Sequence, residues 1–188
     1  MTTTVRPKAL KTTVTYLEMT GPSNAHFPLP MNIQAAIMQA RNIPLHFYRY
    51  LQLRTGGPWH WVYRLRLDDE ALSGVVHSER TSVNILYVEG APAGFFELYR
   101  EDDETVDLAY FGLMPHAIGR GLGKWFLTQA VSTAWAMKPA RLTVNTNTLD
   151  HRAALPLYQR VGFRPVSQTE AFIHPLGDLD ILRLTQRD

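Results

Sequence analysis

A single stretch of the sequence concentrates residue types that handle anions: Pro115-His116-Ala117-Ile118-Gly119-Arg120-Gly121-Leu122-Gly123-Lys124. Glycines at alternate positions let the backbone take positive φ and turn several N–H groups toward one anion. A helix opening at this point would add its dipole, which favours negative charge at the N-terminus. Arg120 and Lys124 supply cations where that anion would sit. Two better-known phosphate loops do not fit. A P-loop needs a glycine five residues before Gly123 and Ser or Thr after Lys124, where Ile118 and Trp125 stand. The dinucleotide fingerprint needs a glycine at position 124 or 126, occupied by Lys124 and Phe126. A phosphate ligand held in some other way and a glycine-rich turn without a ligand both remain open.

Proton-transfer candidates lie on both sides of this turn. Glu97 is the single charge in Gly94-Phe95-Phe96-Glu97-Leu98, and Asp107 also has apolar flanks. Either could be a buried carboxylate of raised pKa or an exposed strand residue, with Glu97 favoured by its more apolar segment. Strand alternation gives each a definite face without showing that they share one. His116 and His151 lie nearer the turn, where an imidazole serves as a base, a ligand contact or a structural group. The sequence has no cysteine, which excludes a thiol nucleophile, a disulfide scaffold and cysteine-ligated zinc. No metal is expected.

The elements that must position these residues belong to one domain. The chain has 188 residues, 45% apolar and 19% charged, a globular composition with enough apolar residues for one sizeable core. A wholly disordered chain would have fewer apolar residues and a larger net charge than +2. No apolar run approaches the roughly 18 residues of a membrane-spanning helix. Residues 2–13 are basic and Thr-rich without an apolar core or cleavage site, so they read as a frayed end, and a cytoplasmic location is expected. Split along the chain, the charge is +7 over residues 1–66, −9 over 67–118 and +4 over 119–188. These blocks suit either separate surfaces for oppositely charged partners or solvated faces of mixed charge.

Residues 14–19 alternate as a first strand, and 21–30 form a Pro-rich connection. Asn32 predicts the cap of a short helix with Ile33, Ile37 and Ala40 on one face, closed by Asn42 and Pro44. Leu45, Tyr48 and Leu51 recur at helical spacing over 45–54, before the Gly56-Gly57 break. The run Pro58-Trp59-His60-Trp61-Val62-Tyr63 is either core or the wall of a pocket for a cation. Asp68 or Asp69 caps a helix to about His77. Strands over 83–88, 93–100 and 105–114, joined by Gly90-Ala91 and the acidic turn 101–104, make an antiparallel meander. A helix over 120–137, a strand over 141–146, a helix from Asp150 to Val161 with Gly162 at its C-terminus, and a strand over 163–173 complete the chain. Pro156 falls inside that last helix and costs about 3 kcal/mol unless the regular helix begins beside it. The order predicts an α/β or α+β sheet with helices on its faces.

Two passages carry a family likeness. GLMPHAIGRGLGKWFLTQAV, ending a strand and opening a helix, resembles motif A (R/Q-x-x-G-x-G/A) of the GNAT superfamily of acetyl-CoA-dependent N-acyltransferases. TLDHRAALPLYQRVGFRPV resembles its second signature, an Ala-rich helix with a Tyr closing on Gly-Phe, so the likeness spans about residues 80–173. Ile118 stands where motif A usually has Arg or Gln, and His151 where many members have Asn.

The resemblance implies a mixed, mostly antiparallel central sheet flanked by helices in a single domain over 1–188. Residues 1–79 would supply the N-terminal strand and substrate-side helices, and 80–173 the acetyl-CoA-binding core. It implies acetyl-CoA phosphates on the backbone of Gly119, Arg120, Gly121, Leu122, Gly123 and Lys124, with His151 as a further contact. The pantetheine arm would lie beside 112–114, with the N–H of Leu113 or Met114 polarising the thioester oxygen. Tyr158 would protonate the leaving thiolate, although it also fits a core position at helical spacing from Ala154 and Val161. Glu97, Asp107 or a bound water would take the amine proton.

Without cysteine, direct attack in a ternary complex is expected. The acceptor would be a primary amine of a small molecule or peptide, the acidic block suiting a cationic amine and the basic one a substrate with a carboxylate. No nucleic-acid or membrane partner is expected, and a homodimer is left open. A non-catalytic acyl-CoA-binding sensor or interaction module is the alternative.

Overall fold

A computed structural model describes residues 7–186. Its elements are β1 (Leu10–Met19), β2 (Ala35–Gln39), α1 (Leu45–Gly56), α2 (Asp69–Val76), β3 (Thr81–Val88), β4 (Ala91–Arg100) and β5 (Thr105–Leu113). They continue as α3 (Leu122–Ala136), β6 (Arg141–Asn147), α4 (Ala154–Val161), β7 (Arg164–Ile173) and α5 (Asp178–Thr185). The seven strands form one sheet in the order β2-β3-β4-β5-β6-β1-β7, and only β5 and β6 run parallel. The meander β3–β4–β5 is antiparallel as the turn chemistry predicts.

Two layers of apolar side chains sandwich the sheet. On one face Phe96, Leu98 and Leu108 pack under Phe126 and Leu127 of α3. On the other, Ile85, Phe95 and Met114 meet Tyr48 and Leu51 of α1 and Leu72 of α2. The Asp68 carboxylate accepts from the Ala71 N–H at 2.8 Å and caps α2. Among the described residues no helix is long and apolar enough to cross a membrane.

The structure corrects the sequence reading in two places. Residues 33–40 are not a helix. Asn32 takes a left-handed φ of 63° instead of capping, and β2 pairs with β3 from Ala35↔Val88 to Gln39↔Asn84. Ile33 and Ile37 fit a helical stripe, but with Ala35 between them they also fit a strand facing the core, and the open β3 edge decides. The first strand begins at Leu10, not Val14, because β7 pairs with it from Leu10↔Ile173 onward, while the β6 ladder starts only at Val14↔Asn147. Thr12 is buried there and its hydroxyl donates to Asn147 Oδ1 at 3.1 Å. Residues 2–6 of the expected frayed end lie outside the described residues, and helix α5 had no counterpart in the reading.

Pro156 causes no conflict. The regular part of α4 begins at Ala154, so the proline sits in the first turn, where no intrahelical N–H is required. The helix ends on Gly162 at φ 118°, as a left-handed C-terminal residue should.

Candidate functional site

The site begins where two parallel strands part. β5 and β6 stay in register only from Thr105↔Arg141 to Asp107↔Thr143. Beyond Asp107 they diverge, and β5 also carries a bulge: Glu97 faces Tyr110 and Leu98 faces Leu108, leaving Ala109 unopposed. The Met114 N–H donates to Ala93 O at 2.8 Å, toward β4. By alternation, the N–H groups of Leu113 and Phe111 point to the opposite edge, into the fork. A cavity of about 870 Å³ fills the fork. Residues 108–113 line it, as do the glycine turn, the start of α4 and the aromatic run 59–63.

At one end the glycine turn behaves as its composition demands. Gly119 and Gly121 take φ of 83° and 79°, and α3 starts at Leu122 with no side-chain cap. The first-turn N–H groups of Leu122, Gly123 and Lys124 therefore have no partner within the helix. Gly119, Gly121, Leu122, Gly123 and Lys124 all line the cavity, and so does Ile118. Arg120 does not: its guanidinium reaches Glu89 Oε1 at 2.8 Å on the surface. The cradle is thus backbone N–H groups plus one lysine, a donor set that fits a pyrophosphate.

Tyr158 projects from α4 into the cavity. Its ring packs edge-on against Phe111 at 6.3 Å and Phe163 at 5.9 Å. Burial, with the nearby charges of Asp150 and Asp107, holds its phenol well above the ordinary value, so at neutral pH it is a proton donor. His151 lines the same cavity, edge-on to Trp59 at 5.3 Å, with Nδ1 accepting the Ala153 N–H at 3.1 Å. His116 does not line it.

The two strand carboxylates share a face of the sheet, because Glu97 and Tyr99 alternate together and Tyr99 pairs with Asp107. Their environments differ. Glu97 is fully buried; the Tyr48 hydroxyl donates to one oxygen and Arg64 Nη2 to the other at 2.8 Å. Each oxygen accepts from a buried or half-buried partner, and Glu97 does not line the cavity. Asp107 sits at the apex of the fork, its Oδ1 accepting from Thr143 Oγ1 at 2.7 Å. Burial pushes Asp107 up to about 6, against the Thr143 hydrogen bond and with help from Glu101 and Glu97.

Met114 is buried under α1 with its N–H taken, so of the two backbone donors expected for the thioester only Leu113 faces the fork. Sequence reasoning missed Asp150 as a cavity residue, reading it as a helix cap. Its Oδ1 accepts the Trp61 indole N–H at 3.2 Å and its Oδ2 accepts from Thr146 Oγ1 and the Asn147 N–H. A glycine inside a strand signals close approach, and Gly112 was that signal: a Cβ there would lie 3.0 Å from the Trp61 ring. Among the described residues no cluster of three or more metal-ligating side chains is present.

Residues 79–165 match the family model of the acetyltransferase (GNAT) domain. No curated protein matches the sequence. Among solved structures the chain is similar to a protein from Novosphingobium aromaticivorans assigned to the GNAT family (TM-score 0.57, 16% identity, 88% of this chain and 65% of that one). It is similar also to a GNAT family acetyltransferase from Elizabethkingia anophelis with acetyl-CoA bound (TM-score 0.52, 18% identity, 73% and 80%). A third is an IAA acetyltransferase from Bacillus cereus (TM-score 0.52, 23% identity, 71% and 79%). The chain spans less than two thirds of the length of the Novosphingobium protein. At these identities the likeness is one of fold.

Proposed function

From the premise that residues 79–165 form a GNAT acetyltransferase domain, we propose that the protein transfers an acetyl group from acetyl-CoA to a primary amine by direct attack in a ternary complex. The observation that carries this reading is the fork between β5 and β6. One cavity there joins an anion cradle, a strand edge with N–H groups turned outward, and a buried phenol. Acetyl-CoA supplies the acetyl group as an activated thioester. The backbone of 119–124 and Lys124 hold its phosphates, and Ile118 makes the first contact of the turn apolar. The Leu113 N–H faces the acetyl oxygen, where negative charge develops as the amine nitrogen bonds to the carbonyl carbon. Tyr158 gives its proton to the departing sulfur. Asp107, outside the cavity wall but at the apex of the fork, receives the amine proton through water.

Glu97 has a different part in this scheme. Held by Arg64 and Tyr48, it anchors the turn Arg64–Arg66 that follows the aromatic run, and is a positioning residue. The experiment is an amine panel with acetyl-CoA, read as free thiol release, since the chain contributes no thiol. Tyr158→Phe should lower kcat about a hundredfold while acetyl-CoA affinity in calorimetry stays within about twofold. Retained binding with no turnover by wild type on any amine would instead favour an acyl-CoA-binding sensor.

A further inference from the structure

The wall of the cavity formed by the aromatic run is more rigidly built than its loop-like sequence suggests. His60 lines it with a left-handed φ of 59°, a strained conformation for a non-glycine residue that the surroundings must hold in place. Trp61 is slotted between two elements. A Cβ at Gly56 would come within 2.2 Å of its indole, so the ring needs glycine there, and one at Gly112 would crowd Thr55 Cγ2 at 2.6 Å and the indole at 3.0 Å. The indole N–H then reaches across the mouth of the fork to Asp150. Three donors fix that carboxylate, Trp61, Thr146 and the Asn147 backbone, and Oδ1 keeps accepting capacity beyond the single bond it makes to Trp61.

Charge divides the cavity. Lys124, Arg152 and Arg160 are its lysine and arginine residues, and Asp150 is the only carboxylate among the described residues that line it. Coenzyme phosphates would use the cations. A pantetheine thioester offers amide N–H and hydroxyl donors but no cation to balance a fixed carboxylate. Asp150 is bonded to the Trp61 indole N–H, shares the cavity wall with Trp59 and Tyr63, and lies near enough to Tyr158 for its charge to be felt by the phenol. A carboxylate in a cavity that aromatic side chains also line attracts an ammonium group, accepts a flat apolar neighbour, and repels a second carboxylate.

We propose that Asp150, Trp59, Trp61 and Tyr63 form the acceptor subsite, and that it selects a primary amine arriving as an ammonium ion beside an aromatic or flat apolar group, against amino acids and other acids. The proposal rests on the acetyl-transfer reading of the same cavity. Initial rates are compared for 2-phenylethylamine, for phenylalanine, which adds a carboxylate to that skeleton, and for propylamine, which lacks the ring. The first should exceed each of the others at least about tenfold in kcat/KM.

Asp150→Asn should raise the KM for 2-phenylethylamine at least about tenfold with acetyl-CoA affinity unchanged. Trp61→Phe, which keeps one aromatic ring but removes the indole N–H together with the fused second ring, should raise it about threefold, and it is the second variant should Asp150→Asn disturb the loop. Phenylalanine or propylamine used as well as 2-phenylethylamine overturns the subsite, as does an unchanged KM in both variants. Wild type that fails to bind acetyl-CoA in calorimetry overturns the transfer reading and this inference together, and that failure is seen before any acceptor is added.

Discussion

At one end of the cavity the glycine turn is made by consecutive residues, 119–124, that offer backbone N–H groups; at the other, Trp61 and Asp150 meet across 89 residues of chain and offer side chains. The first end depends on φ values that glycine supplies and on a helix start that any sequence with those glycines can make. The second depends on Gly56 leaving room for one indole and on a carboxylate pinned by three donors. The lesson is about robustness. A backbone site tolerates changes in its side chains and fails when bulk enters the turn, whereas a packed side-chain site fails when a distant support is removed.

The largest effect should come from bulk and negative charge in the backbone cradle. Gly121 has φ 79° and a Cβ there would lie 3.3 Å from Pro30. Gly121→Glu should weaken acetyl-CoA binding by at least about a thousandfold in calorimetry, because the carboxylate occupies the place of a phosphate and faces the same N–H groups. Gly121→Ala is the control for strain alone and should cost stability on the order of 1 kcal/mol. If Gly121→Glu binds acetyl-CoA as wild type does, the turn is merely a connection and the contrast between the two ends disappears.

A large effect of another kind should follow from removing a support of the packed end. Glu97→Gln leaves Arg64 with a neutral partner in a buried setting, and the loss should be about 3 kcal/mol in urea denaturation. Turnover by the folded fraction should show a raised KM for the amine and a pH profile of unchanged shape. A profile that instead loses its acidic limb would make Glu97 the base and return the carboxylate to the chemistry.

The same contrast explains what could be read without coordinates. The glycine turn, the meander and Tyr158 were legible because each rests on local spacing, and Gly162 because a helix stop is a local event. Asp150 was not, since its partners Trp61 and Thr146 are set by how β6 and the aromatic run pack. The strand β2 was lost because Ile33 and Ile37 satisfy two periods, and only the β3 edge chooses between them. The face shared by Glu97 and Asp107 depended on the register that pairs Tyr99 with Asp107, which alternation within either strand does not announce. Short range made the glycine turn readable, and long range hid the contact between Trp61 and Asp150.

Asp107, between the two ends at the apex of the fork, links the comparison to pH. Its carboxyl is raised to about 6 by burial, so the folded state holds its proton more tightly than the unfolded chain does. The stability it gives is therefore full below the unfolded value of about 4 and is lost as pH rises through 6. Asp107→Asn, which cannot ionise, should gain about 2 kcal/mol relative to wild type between pH 3.5 and pH 7.5. In turnover, wild-type kcat/KM should fall below about pH 6 as the proton acceptor is filled, and the variant should lose that dependence along with about tenfold in rate. A stability difference that does not change with pH would mean the carboxyl is better solvated than its place at the fork implies.

The smallest effect discriminates most finely. Arg120 is the cation that the sequence places beside the phosphates, yet its guanidinium is spent on Glu89 at the surface, an exposed pair of the kind worth about 0–1 kcal/mol. Arg120→Ala should leave acetyl-CoA affinity within about threefold, and Lys124→Ala, whose ammonium lies 5.8 Å from the Phe27 ring centroid at the cavity wall, should cost more. A drop for Arg120→Ala as large as for Gly121→Glu would show that the arginine leaves Glu89 when acetyl-CoA binds. The cradle would then be a side-chain site like the acceptor end, and the difference between the two ends would be one of position in the chain alone.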